Sequence, residues 1–310
     1  MIGLELEVLT WNVFLRPTIA DRFEGVRTRP LERARRIAEA LNGDPTPPDV
    51  VVFNEVFHDG ARRQLLDALS RERWPHRTEV LRMTWLFNAG VLVASRLPFV
   101  APARGTKFRV QRLPDSGAGK GFLHVQLGAP HGRLHLLATH LQAEGPGVRA
   151  AQLRQIRRYV DAEIPRDGGH AVLIAGDLNV DLHDAGEYQP MLELLGAAHL
   201  PRTGPDYSLD AVDNALARHD GERKHLDYVL FSTQPVHAQP ALGPGSQMQT
   251  VPLRSTEPWG ILERRGLLSL GRRRLVPTRD FSDHFPVRSA LRFPREAVDK
   301  GRRPEVRSIR

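Results

Sequence analysis

The sequence predicts an α/β protein, and three observations lead there. Apolar runs of strand length recur along the chain, helical stripes fall between them, and the strands empty into polar residues. The third observation bears on function, because ligands of α/β sheets gather beyond the ends of the strands.

Glu5 to Val13 reads as a buried strand carrying Leu6, Val8 and Trp11 and ending at Asn12. Leu31, Ala34, Ile37, Ala38 and Leu41 form a helical stripe, stopped by Pro45, Pro47 and Pro48. Val50 to Phe53 is continuously apolar, as expected of a strand covered on both faces, and it delivers Asn54-Glu55. Asp59 is expected to cap a helix running to about Arg71, with Leu65, Leu66 and Leu69 inward. Strands follow at Ala89 to Ser95, Gly121 to Leu127 and Leu134 to Thr139, the last reaching His140 after a turn at 128–132. Val148 to Ile164 is helical, with Leu153, Ile156 and Val160 on one face and Pro165 beyond it. Ala171 to Ala175 is a strand that delivers Gly176-Asp177-Leu178-Asn179, and a short helix covers about Glu187 to Leu195. Leu226 to Phe231 and Val287 to Phe293 complete the strands. Twice, then, a strand ends in polar residues and a helix follows. Asn12 and Asp283 lie at opposite ends of the chain, so a shared site makes residues 1–294 one domain. Residues 295–310 carry charge without periodicity and are expected to be a flexible basic tail.

Composition narrows the class. With 41% hydrophobic and 26% charged residues the chain can bury a sizeable core, and no apolar run approaches the ~20 residues of a membrane-spanning helix. Zero cysteines exclude disulfides, thiolate metal sites and cysteine nucleophiles. The N-terminus runs into a strand without the plan of a secretory signal, so a cytoplasmic location is expected, with export or peripheral membrane binding as alternatives. The net charge is +8, and only Lys107, Lys120, Lys224 and Lys300 among the basic residues are lysines. An arginine-rich surface suits a phosphate-bearing partner, nucleic acid or anionic membrane alike.

The strand-end polar groups, in order, are Asn12, Glu55, His140, Asp177, Asn179, Asp227, Asp283 and His284. Oxygen ligands with a few imidazoles suit Mg²⁺ or Mn²⁺. Hydrolysis of a phosphoester needs a cation on the phosphate oxygens, a base for water, and donors for the charge that grows on phosphorus. This inventory contains all three.

Thr10-Trp11-Asn12-Val13, Asn54-Glu55-Val56-Phe57, Gly176-Asp177-Leu178-Asn179, Leu226-Asp227-Tyr228 and Ser282-Asp283-His284-Phe285-Pro286 together resemble the endonuclease/exonuclease/phosphatase superfamily. Asn54-Glu55-Val56-Phe57, Lys120-Gly121-Phe122 and Thr139-His140-Leu141-Gln142-Ala143-Glu144 are similar to bacterial neutral sphingomyelinases. The resemblance implies a four-layer α/β/β/α sandwich of two packed mixed sheets flanked by helices. It implies a Mg²⁺-dependent sphingomyelin phosphodiesterase, Mn²⁺ or Co²⁺ being possible substitutes. Glu55 would hold the metal, with Asn12 and Asp283 beside it. His284 would be the general base, oriented by Asp227. Asp177 and Asn179 would position water or a second cation, and His140 and Asn179 would donate to the phosphate.

A monomer working at a phospholipid surface must touch that surface. The resemblance places a hairpin for this purpose at about 251–278, where Trp259, Ile261 and Leu262 precede arginines and Leu267, Leu268 and Leu270. These apolar residues are expected to be exposed, to enter the headgroup zone. Lys120 is a minor candidate for substrate phosphate, and Tyr188, Tyr207 and Trp85 for stacking on a choline ammonium. A nuclease of the same superfamily is the alternative function, for which the positive charge argues. A silent lipid- or protein-binding module is a third reading, opposed by the eight polar groups.

Overall fold

The structure is a computed structural model that describes residues 2–17, 26–80, 88–112, 119–129, 132–165, 170–217, 221–232, 242–264 and 273–294. The expected tail, the tip of the expected hairpin at 265–272, the middle of the turn at 130–131, and Trp85 lie outside the described residues.

In chain order the elements are β1 (Ile2–Leu15), β2 (Val26–Arg27), α1 (Pro30–Asn42), β3 (Val50–Val56), α2 (Asp59–Ala68), β4 (His76–Arg77), β5 (Leu92–Ser95) and β6 (Arg104–Lys107). There follow β7 (Gly121–Ala129), β8 (Gly132–His140), α3 (Pro146–Glu163), β9 (His170–Asp177), α4 (Ala185–Leu195), β10 (Ala197–Ala198) and β11 (Arg202–Thr203). The chain closes through β12 (Leu209–Asp210), β13 (Arg223–Lys224), β14 (Asp227–Ser232), β15 (Gln247–Thr250), β16 (Arg254–Arg264), β17 (Arg273–Asp280) and β18 (Val287–Pro294).

Two sheets carry the architecture, in the orders β11-β15-β18-β1-β3-β5-β4 and β10-β14-β9-β8-β7-β6. Each is mixed: β1 is parallel to β3 but antiparallel to β18, and β8 is parallel to β9 but antiparallel to β7. The period-two alternation of β1 explains the layering. Leu9, Trp11 and Val13 join Val51 and Phe53 under Ala34, Ile37 and Ala38 of α1 and Leu65 of α2. Leu6 and Val8, with Val50 and Val52, face the other way and share a core with Val125, Leu136 and Leu173 of the second sheet. That core continues to Leu153, Ile156 and Val160 of α3 and Met191 of α4. The expected four layers are therefore present.

Three local expectations are corrected. The cap of α2 is His58, whose Nδ1 accepts from the Ala61 backbone N at 3.1 Å, and the helix ends at Ala68, where the next residue turns to extended backbone. Leu31, placed on the inner stripe, is exposed, because the buried face of α1 is set by Ala34, Ile37, Ala38 and Leu41. β15 was not foreseen: its four residues alternate exposed and buried, too short a pattern to stand out from a loop.

Candidate active site

The site forms where strands of both sheets end side by side. In the second sheet Asp177 is paired with His140 on one side and Asp227 on the other, so register puts the three on one rung. In the first sheet Asn12 is paired with Asn54. Side chains then join the sheets: Asn54 Nδ2 donates to Thr139 O at 2.9 Å, and Asp177 N donates to Asn54 Oδ1 at 3.1 Å. Asn12 Nδ2 donates to Asp177 Oδ2 at 2.9 Å and to Glu55 Oε1 at 3.2 Å. Within the second sheet, β8 and β9 run close enough beside the site to demand Gly176. Its φ is 146°, and a Cβ there would lie 1.8 Å from Thr139 O. Asn54 stood in the motif without a role; its two bonds across the gap make it the rivet of the site.

His284 arrives from the far end of the chain. Trp11 Nε1 donates to its carbonyl at 3.0 Å, Phe285 N donates to Ser208 O at 2.7 Å, and Asn214 Nδ2 donates to Ser282 O at 2.7 Å. Its Nδ1 lies 2.7 Å from Asp227 Oδ2, and both side chains are buried. With Nδ1–H donated to that carboxylate, the neutral ring keeps Nε2 to accept a proton. The two side chains that the resemblance pairs are thus in contact. Asp283 turns elsewhere, and its Oδ1 accepts from Ser282 Oγ at 2.9 Å.

These groups surround a cavity of about 550 Å³ lined by Glu55, Lys120, His140, Asp177, Asn179, Asp283 and His284, and also by Phe14, Arg16, Leu209, Leu216 and Leu226. Lys120 is no solvated turn residue: it is buried, and its Nζ donates to Leu141 O at 2.5 Å and lies 3.0 Å from His140 Nε2. An ammonium offers only donors, so His140 Nε2 accepts and the ring proton sits on Nδ1, a buried atom with no partner. Burial, with the charges of Lys120 and His284, holds the His140 pKa well below its ordinary value. Asn179 uses one amide proton on Leu141 O, at 2.9 Å, and keeps a second.

The acids are short of positive charge. Burial, then the neighbouring Asp227 carboxylate, pushes the Asp177 pKa up to about 7. Burial, aided by Glu55, does the same for Asp283, to about 7. Burial would lower the His284 pKa, but the carboxylates of Asp227 and Asp283 outweigh it and hold it well above the ordinary imidazole value. Raised acids and a raised base in one buried site mean uncompensated negative charge, which a cation would relieve.

The donor set fits a divalent cation. Glu55 Oε2 and Asp227 Oδ1 are buried carboxylate oxygens with no hydrogen-bond partner, and ligand atoms of Asp177, Asp227 and His284 lie within 4.8 Å of one another. Asp227 Oδ2 is already engaged by His284, whereas Glu55 lines the cavity with its Oε2 unpaired. Glu55 is held there at φ 59°, and the lining residues Phe14 and Asn179 also have left-handed backbone, at φ 51° each. For Glu and Phe such conformations cost roughly 1–3 kcal/mol apiece and mark positions the surrounding structure over-determines.

The hairpin expectation is corrected. Trp259 and Ile261 are not exposed: alternation on β16 puts them on one face, where they pack with Val276 against Ala215 and Leu216. Leu262 is half-buried beside β2, with which β16 and β17 form a three-stranded sheet. Among the described residues of these strands, the large hydrophobic side chain that does stand exposed is Leu275, at 61%. Tyr188 is corrected too, being buried in the core with its hydroxyl bonded to His199, and Tyr207 is half-buried beneath Arg223. The lining residues Phe14, Arg16, Leu209 and Leu216 were missed, having no motif of their own.

With the geometry in place, comparison with known proteins gives a consistent answer. Residues 9–284 match the model of the endonuclease/exonuclease/phosphatase family. The chain is 31% identical to sphingomyelinase C 2 of Leptospira interrogans over 92% of its own length, yet spans only 46% of that relative. It therefore covers about half the length of the Leptospira sphingomyelinases it matches. The crystal structure of sphingomyelinase C from Streptomyces griseocarneus is similar with a TM-score of 0.78 and 32% identity, covering 93% of this chain and 99% of that one. A magnesium-bound β-toxin variant from Staphylococcus aureus shares the fold at a TM-score of 0.77 and 24% identity, covering 94% of this chain and all of that one. Fold, strand-end groups and family match agree, and the chain belongs to the endonuclease/exonuclease/phosphatase family.

Proposed function

We propose that the chain is a Mg²⁺-dependent phosphodiesterase that hydrolyses sphingomyelin, or a related phospholipid, to ceramide and phosphocholine at a membrane surface. The observation that carries this reading is the Asp227–His284 pair, 2.7 Å apart, in the same cavity as the unpartnered Glu55 carboxylate oxygen. The likeness to sphingomyelinase C over nearly a whole solved chain supports the substrate.

Glu55 would hold the cation, with Asn12 fixing its carboxylate and Asp283 as a second acid. Bound there, Mg²⁺ would draw charge from the phosphate oxygens. His284 Nε2 takes a proton from water as its oxygen bonds to phosphorus, and Asp227 stabilises the imidazolium through Nδ1–H. The bond between phosphorus and the ceramide oxygen breaks, that oxygen takes a proton from solvent water to leave as the ceramide hydroxyl, and His284 returns its proton to solvent. The unpartnered Nδ1–H of His140, the Lys120 ammonium and the second amide proton of Asn179 supply donors around the phosphate. Asp177, anchored by Asn12 and by Asn54, holds the rung on which they sit.

The test offers sphingomyelin vesicles, phosphatidylcholine vesicles and supercoiled plasmid in Mg²⁺, with chelator and His284→Ala as controls. Phosphocholine release that depends on both Mg²⁺ and His284 supports the reading. Plasmid nicking without phosphocholine release would replace it by the nuclease alternative, and inertness on all three would leave a binding module.

A further inference from the structure

Lys120 and Asn179, two of the donors placed around the phosphate above, share one anchor. Lys120 Nζ donates to Leu141 O at 2.5 Å, and Asn179 Nδ2 donates to the same carbonyl at 2.9 Å. That oxygen belongs to the peptide unit whose N–H is Gln142 N. A peptide unit is planar, with its N–H and C=O locked on opposite sides, so whatever fixes the N–H also aims the C=O. Here the N–H is fixed by Gln152: Gln142 N donates to Gln152 Oε1 at 3.0 Å.

The holder is itself held. Glutamine is ordinarily a surface residue, yet Gln152, on α3, is fully buried, and its Nε2 donates to Val110 O at 3.0 Å. Its amide therefore faces one backbone N–H and one backbone C=O, which sets its orientation, since only its oxygen accepts and only its nitrogen donates. One turn earlier on the same helix, Arg149 donates to Gln142 O at 3.2 Å and to Ala143 O at 2.6 Å. Its guanidinium is held in turn by both carboxylate oxygens of Glu187 on α4, at 2.5 and 2.6 Å. The buried Gln142 side chain clasps the backbone of Arg112, Nε2 donating to its O at 3.0 Å and Oε1 accepting from its N at 3.1 Å. From the strand side, Leu141 N donates to Asp177 O at 3.0 Å. The turn that leaves β8 is thus gripped along its length, and Gln152 grips the peptide on which the two donors converge.

We propose that Gln152 is a positioning residue for the reaction: it aims the Leu141 carbonyl, and through that carbonyl sets where the Lys120 ammonium and the Asn179 amide stand at the phosphate. This rests on the phosphodiesterase reading and adds to it a residue of α3 outside the cavity wall. Without Gln152 Oε1 the Gln142 N–H becomes a buried donor lacking an acceptor, the peptide tilts, and both phosphate donors lose the orientation of their shared anchor.

The experiment measures kcat on a soluble phosphocholine ester at saturating Mg²⁺, normalised to folded protein by circular dichroism. Gln152→Leu, similar in size, should lower kcat by about tenfold to a hundredfold, the cost of a small misplacement of positioned groups. Gln152→Glu keeps an oxygen for Gln142 N and should recover most of that loss. In a chain already carrying Lys120→Met and Asn179→Ala, Gln152→Leu should cost less than about twofold more, because the groups it positions are gone. Should the leucine chain not fold, Gln152→Asn, one methylene short of the peptide N–H, takes its place in each comparison. Losses that multiply in the triple variant overturn the proposal, since Gln152 would then act on the fold and not through the two donors. So does a glutamate chain as impaired as the leucine chain, and so does an unchanged kcat in the leucine chain. If the unaltered chain releases no phosphocholine, the phosphodiesterase reading itself fails, an outcome distinct from any of these.

Discussion

Asp227→Asn isolates the orienting role from everything else the site does. Asp227 is fully buried, and its Oδ2 sits 2.7 Å from His284 Nδ1, so the substitution keeps shape and removes only charge. Breaking a buried charge pair costs about 3–5 kcal/mol, and about 1.4 kcal/mol corresponds to tenfold in rate. If the pair is needed in the transition state, kcat/KM falls by about 10²–10⁴-fold. The pH profile gives an independent sign. The base works unprotonated, and Asp227 is the leading cause that raises the His284 pKa. Removing that charge lowers the pKa, so the acid limb of the profile moves to lower pH even as the plateau drops. Hydrolysis of a soluble phosphocholine ester at saturating Mg²⁺ reads both quantities. A double-mutant cycle completes the test, because in a His284→Ala background Asp227→Asn should cost little more. An acid limb that stays or moves upward, or losses that simply multiply, would refute the claim that Asp227 acts through His284.

Glu55→Gln keeps the contact with Asn12 but removes the charge, so Mg²⁺ should no longer raise Tm; for the unaltered chain at a hundredfold over Kd the gain is about 2.7 kcal/mol. An undiminished Mg²⁺ shift would place the cation elsewhere. Gly176→Ala drives a methyl into Thr139 O and parts β8 from β9, so a loss of about 3–5 kcal/mol is expected in denaturant titration; a change within about 1 kcal/mol would contradict the close approach. Trp259→Ala removes a buried ring that supports Leu216 on the cavity wall, and should cost about 3–5 kcal/mol while reducing hydrolysis of vesicles and soluble ester alike. Loss confined to vesicles would restore Trp259 as a membrane contact.

Much of the site was readable because its chemistry is local in the chain. Asn12, Glu55, His140, Asp177, Asn179, Asp227, Asp283 and His284 each follow or open an apolar run, and backbone alternation leaves little choice about where a strand ends. Six of them line the cavity, and the other two, Asn12 and Asp227, hydrogen-bond directly to lining residues. The layers followed from the same periodicity, with odd and even positions of β1 facing different cores.

Other facts depend on partners distant in sequence, and no local pattern encodes them. Thirteen histidines are alike as letters. Packing separates His284, held by an acid 57 positions away, from His124, His135 and His170, which hydrogen-bond to one another at 2.8 and 2.7 Å within the second sheet. Lys120 looked like a turn residue until His140 and Leu141 came to meet it. Trp259 beside arginines fits a membrane tip as well as a wall, and the deciding surface, Ala215 and Leu216, lies more than forty residues earlier. Phe14 turns left-handed at φ 51° and carries the Arg16 guanidinium 3.9 Å from its ring centroid, a stack that no local pattern announces. Strand ends and periodicity are properties of neighbouring residues and survive in the linear chain; burial, pairing and charge compensation are properties of the packed molecule and exist only once both sheets close on each other.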